Sequence, residues 1–99
     1  MVFADPAARD LEDIIDFIAL DSQSAAESVY RAIVAATERL ADFPRLGHPG
    51  RLPDTRELSV ISLPYVIVYA VEVGSVTILA VFHGARDIAL ALRERQEPS

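Results

Sequence analysis

Residues 65–73 and 76–82 are two almost unbroken runs of β-branched, aromatic and aliphatic side chains, with only Gly74-Ser75 between them. A two-residue connection that opens on glycine signals a β-hairpin. Strands that are apolar on both sides cannot leave either side in water. This hairpin must therefore lie inside a layered domain, with something packed on each face. Preceding elements can cover one face. The other needs the C-terminal segment or a partner.

The preceding chain reads as helical. Asp5-Pro6 marks a start, with Asp5 to cap the orphan amides and Pro6 tolerated in the first turn. Leu11, Ile14, Ile15 and Ile18 recur at helical spacing, and Asp10, Glu12, Asp13 and Asp16 fill much of the remaining surface. Residues 21–24 break the pattern, and Ser24 with Glu27 three positions on gives a capping-box signal. A second stripe runs through Ala26, Val29, Tyr30, Ile33, Ala36 and Leu40. It stops near Phe43-Pro44, because the residue before a proline disfavours helix. Residues 1–4 read as a first strand, and residues 44–54 as a loop rich in proline and glycine. Residues 57–63 read as another strand, and residues 87–95 as a short helix capped by Asp87. The predicted order is β-α-α-β-β-β with a short C-terminal helix. That is an α+β fold, a helical hairpin on a mainly antiparallel sheet, forming a single domain over residues 1–99.

Composition narrows the chemistry. There is no cysteine, which excludes disulfides and thiolate chemistry. The two histidines, His48 and His83, are too far apart in sequence for a metal-ligand motif, so no metal and no cofactor is expected. No apolar run approaches the roughly 18–20 residues of a membrane span, and no leader is apparent, so the expected location is cytoplasmic. Net charge is −6 and every basic residue is an arginine. Residues 1–44 carry the whole excess of acid, while residues 45–99 are balanced. That excludes direct sequence-specific nucleic-acid binding through a basic field, though not a local arginine site. Hydrophobic residues make up 52% and mean hydropathy is +0.27. Either an apolar face covered by a partner or the high alanine content accounts for this.

Several segments, in this order and spacing, resemble the RelE/ParE superfamily of type II toxin–antitoxin toxins. Residues 7–15 resemble its first helix. Residues 40–51, Leu-Ala-Asp-Phe-Pro-Arg-Leu-Gly-His-Pro-Gly-Arg, resemble the end of its second helix and its glycine turn. Arg56-Glu57-Leu58 and Tyr65-Val66-Ile67-Val68-Tyr69 resemble its second and central strands, and residues 78–86, ending His83-Gly84-Ala85-Arg86, its last strand and histidine-arginine signature. The turn and the ending look more ParE-like than RelE-like. ParE-like relatives inhibit DNA gyrase by binding, whereas RelE-like relatives are ribosome-dependent mRNA endonucleases. Both are neutralised by a cognate antitoxin. The resemblance thus implies a ParE-like toxin held in a hetero-oligomer with an antitoxin. The alternatives are an mRNA endonuclease, or a relative that has lost toxicity and survives as a partner-binding module.

Metal-free RNA cleavage needs an acid, a base and cations for the phosphorane. His83, Arg56 and Arg86 are the candidates for those roles. Many relatives carry arginine where this chain has Val66, and the lysines typical of RelE-like members are absent. In the binding reading there is no catalytic residue. Arg56, Tyr65, His83, Arg86 and Arg93 then form the target-binding set, with Arg95 nearby on the same C-terminal segment. Leu11, Ile14, Ile18 and Arg86 are the antitoxin-binding candidates. Each has a plainer alternative. Arg56 can pair with Glu57, Tyr69 can pack in the core, and His83 can bond the backbone at the strand end. Arg86 can pair within the chain, and Asp10, Asp13 and Asp16 fit a solvated helix face.

Overall fold

The computed structural model describes residues 1–84 and 88–96. In chain order it contains β1 (Val2–Phe3), α1 (Asp5–Ala19), α2 (Gln23–Asp42), β2 (His48–Pro49), β3 (Arg56–Ser59), β4 (Tyr65–Glu72), β5 (Ser75–His83) and α3 (Ile88–Gln96). The sheet order is β1-β5-β4-β3-β2. Among these strands only the β1–β5 pair is parallel, with Val2 beside Thr77 and Phe3 beside Ile78. The α+β architecture and its element order match the sequence reading, with one addition. The short strand β2 lies inside the expected loop, where His48 pairs with Glu57 and Pro49 with Arg56.

Helix boundaries shift by one or two residues. Ala4, not Asp5, occupies the N-cap of α1 and supplies no side-chain bond, so Asp5 instead sits in the first turn, where it favours the helix dipole. Ser22, not Ser24, caps α2. Its hydroxyl accepts the Ala25 amide at 3.1 Å. Asp87, the expected cap of α3, lies outside the described residues.

The hairpin turn also differs. Glu72 pairs with Ser75, so the two connecting residues are Val73 and Gly74. Glycine is therefore second, not first, and its φ of +73° is one that a residue with a Cβ rarely adopts.

Both faces of the hairpin are covered from within the chain. Ala7, Leu11, Ile33, Leu40, Ile67, Tyr69, Ile78 and Val81 form the core between the helical hairpin and the sheet. Val68, Ala80 and Phe82 meet Ile88, Ala91 and Leu92 of α3 on the opposite side. A bulge makes this possible. Tyr69 pairs with Ile78 and Val68 with Ala80, leaving Leu79 as an extra residue in β5. One added residue reverses the alternation of faces. Ile78 and Val81 consequently both point to the helices, while Leu79 and Ala80 both point to α3.

Asp10 closes the edge of β5 beyond the short β1. Its Oδ2 accepts the Val81 amide at 3.0 Å, and Arg95 of α3 donates to both carboxylate oxygens, at 2.9 and 2.6 Å. The Arg95 guanidinium also lies 4.7 Å from the centre of the Phe82 ring. Asp10 is therefore a structural clamp rather than one of three equivalent solvated carboxylates. Arg95, which the sequence places with the exposed C-terminal cations, is committed to it.

Candidate functional site

The loop from Pro44 to β3 is held by three side chains. Tyr69 is fully buried. Its hydroxyl donates to the Pro44 carbonyl at 2.8 Å and accepts the Gly47 amide at 2.9 Å. Arg56 lies on the same face of the sheet as its cross-strand neighbour Tyr69. Its Nη2 donates to the carbonyls of Arg45 and Gly47. A Cβ at Gly47 would lie 2.5 Å from the Glu57 carbonyl oxygen and 2.7 Å from the Tyr69 hydroxyl, so only glycine fits there without displacement. Removing the hydroxyl in Tyr69→Phe leaves both loop groups without their partner. The expected cost is about 1–3 kcal/mol, measured by denaturant unfolding.

Glu57 points the other way. It is 1% exposed and accepts the Arg51 amide at 2.9 Å, while Arg51 Nε stands 3.4 Å from its second oxygen. The expected Arg56–Glu57 pair does not form, because neighbouring strand residues face opposite sides of the sheet. Glu57 pairs with Arg51 instead, and Arg56 binds backbone carbonyls.

Two apolar grooves are open. One, of about 240 Å³, runs between the second half of α2 and β3, with Ala32, Ala35, Ala36, Leu46 and Leu58 among its lining and Arg39 at its rim. Ile61, 77% exposed, stands at its end. The adjoining edge of β3 is only partly paired, since β2 reaches Arg56 and Glu57 and no further. The Val60 amide bonds inward to the Tyr65 carbonyl at 3.0 Å. By the alternation of a strand, the backbone groups of Ser59 therefore face outward. The second groove, of about 350 Å³, lies between α1 and α2 and is lined by Leu11, Ile15 and Tyr30 with Glu12 and Asp16.

The candidate residues distribute unevenly over this framework. His83 and Tyr65 are paired across β4 and β5, and their rings meet edge to face with centroids 5.9 Å apart. Tyr65 is half-buried against the helix-side core rather than displayed on the surface. Arg56 lies four residues further along β4 and on its other side, roughly 15 Å from His83 by strand geometry. The fold does not bring these two catalytic candidates to one phosphate. Arg93 is exposed on α3, and Arg86 lies outside the described residues. Leu11 is buried, while Ile14 and Ile18 are half-buried, so the α1 stripe serves chiefly as core. Val66 packs against the α3-side core. Among the described residues no group of three or more histidine and acidic side chains is placed to hold a metal ion.

Sequence reasoning missed the loop staple, the buried Glu57 and the α2–β3 groove. The alanines of α2 were the available signal for the groove, since small side chains on one helix face leave space beside it.

The sheet order, the helical hairpin on one face and α3 on the other define an α+β fold with one parallel pair among its described strands. The family model for the ParE toxin of the parDE type II toxin–antitoxin system matches residues 1–88. Y4kP, a Sinorhizobium fredii protein named as a toxin, is 40% identical over 77 residues, covering 78% of this chain and 79% of its own. A solved chain of the chromosomal ParDE system from P. aeruginosa shares the fold, with a TM-score of 0.74 at 24% identity over 83% of this chain and 91% of that one. This chain belongs to the ParE toxin family of type II toxin–antitoxin systems. The family implies an antitoxin partner. No helix among the described residues is long and apolar enough to cross a membrane.

Proposed function

We propose that the protein is a toxin that inhibits DNA gyrase by binding, and that a cognate antitoxin neutralises it by occupying the α2–β3 groove and the open edge of β3. Membership of the ParE toxin family supports the first part, and the groove supports the second. It offers apolar depth for side chains, outward backbone groups for an extended segment and a cation, Arg39, at the rim. The commitment of Arg56 to the loop, and its distance from His83, favour binding over RNA cleavage.

The test is pulse labelling in bacteria after induction of this chain alone. Thymidine incorporation is expected to fall before methionine incorporation. An earlier fall in methionine would overturn the gyrase reading and make translation the target. If neither falls while soluble protein accumulates, the chain is a partner-binding module without toxicity. Co-expression of the antitoxin is expected to restore incorporation.

A further inference from the structure

We propose that the clamped loop forms a binding site for the carboxylate side chain of a partner protein, with Arg45 as its principal cation. A pocket of about 290 Å³ is lined by Arg45, Asp54, Thr55, Arg56 and Val71. It is separate from both apolar grooves.

The backbone around Arg45 is fixed, since the Pro44 carbonyl is held by Tyr69 and the Arg45 carbonyl by Arg56. The Arg45 guanidinium is exposed, and no carboxylate lies within ion-pair distance of it among the described residues. Beside it, Arg56 uses Nη2 for the loop carbonyls, and its Nε is buried without a hydrogen-bond partner. Its charge nonetheless stands at the pocket, because Arg56 is among the lining residues. The Arg45 guanidinium on this fixed backbone, with the Arg56 charge beside it, binds a carboxylate without the cost of first ordering the loop. Val71 supplies an apolar wall for the methylenes of an acidic side chain.

Asp54 opposes the ligand. It lines the same pocket, and its backbone is in the left-handed region, with φ of +63°. The site is therefore built for one anionic group and a modest affinity. A nucleic-acid phosphate fits less well, because the net charge of −6 repels a polyanion at long range. The inference extends the binding reading, yet its test is independent of which macromolecule the toxin inhibits.

The experiment is an amide NMR titration of the full-length chain with glutarate, and separately with inorganic phosphate, at constant ionic strength. Glutarate is expected to give saturable shifts confined to Arg45, Thr55, Arg56 and Val71, with a Kd on the order of millimolar. Arg45→Ala is expected to weaken binding about tenfold or more. Asp54→Asn keeps a side chain that tolerates the left-handed backbone, and is expected to tighten binding roughly two- to fivefold. That second variant still tests the site if the first fails to fold. Shifts that do not saturate, or that Arg45→Ala and Asp54→Asn leave unchanged, would overturn the site. Tighter binding of phosphate than of glutarate would overturn its assignment to a carboxylate.

Discussion

Replacing Phe82 with alanine is expected to lower the stability of the fold by about 3–5 kcal/mol. Phe82 is 1% exposed and fills the space between the sheet and α3. Its ring also carries the Arg95 guanidinium, which bridges to Asp10. Truncation therefore opens a cavity and removes the surface on which Arg95 rests. At about 4–8 °C per kcal/mol for a domain of this size, the melting temperature should fall by more than about 12 °C. Leu20→Ala is the matched control. Leu20 is 82% exposed, and its truncation should change stability by no more than about 0.5 kcal/mol. Equal effects of the two substitutions would show that α3 does not seal the second face of the sheet.

The second large effect concerns the antitoxin. Ala35→Glu places a carboxylate and extra volume in the α2–β3 groove, one helical turn before Arg39. Ala35 is exposed and outside both cores, so the fold should be retained. An occupant of the groove would meet a steric block and a charge that competes for Arg39. Antitoxin affinity should fall roughly 30-fold or more, the loss typical of disrupting the centre of an interface. Calorimetric titration of purified toxin with antitoxin measures it, with the melting temperature as the folding control. Undiminished affinity would move the antitoxin to the α1–α2 groove, lined by Leu11, Ile15 and Tyr30.

The two long strands of the sheet and both long helices are legible in the sequence because their signals are periodic and repeated. The α1 stripe and the α2 residues Ala26, Ile33 and Leu40 pack as their spacing requires. The demand that both faces of the β4–β5 hairpin be covered is met by α3. The bulge at Leu79 is hidden, because an alternation of faces cannot be read where nearly every residue is apolar. Single residues with non-local duties are hidden too. Asp10 looks like any helix-surface acid until β5 brings the Val81 amide to it. Tyr69 announces a core position but not the loop its hydroxyl holds, and Glu57 finds Arg51 only once β2 and β3 pair. Arg56 stands out in the sequence, yet its place in the loop staple depends on contacts that no local pattern encodes.

The parallel pairing of Val2 with Thr77 has a consequence for how the toxin comes into being. A ribosome delivers the chain from its N-terminus, so β1 emerges long before the strand it must join. The Asp10–Arg95 clamp spans still more of the chain, its partners being 85 positions apart. Neither closure can form until its later partner, Thr77 or Arg95, has left the exit tunnel. Long-range pairings of this kind also slow the final step of folding. Until then the β5 edge lacks both closures. A partner that binds before then meets a β5 edge that neither β1 nor Asp10 has yet closed.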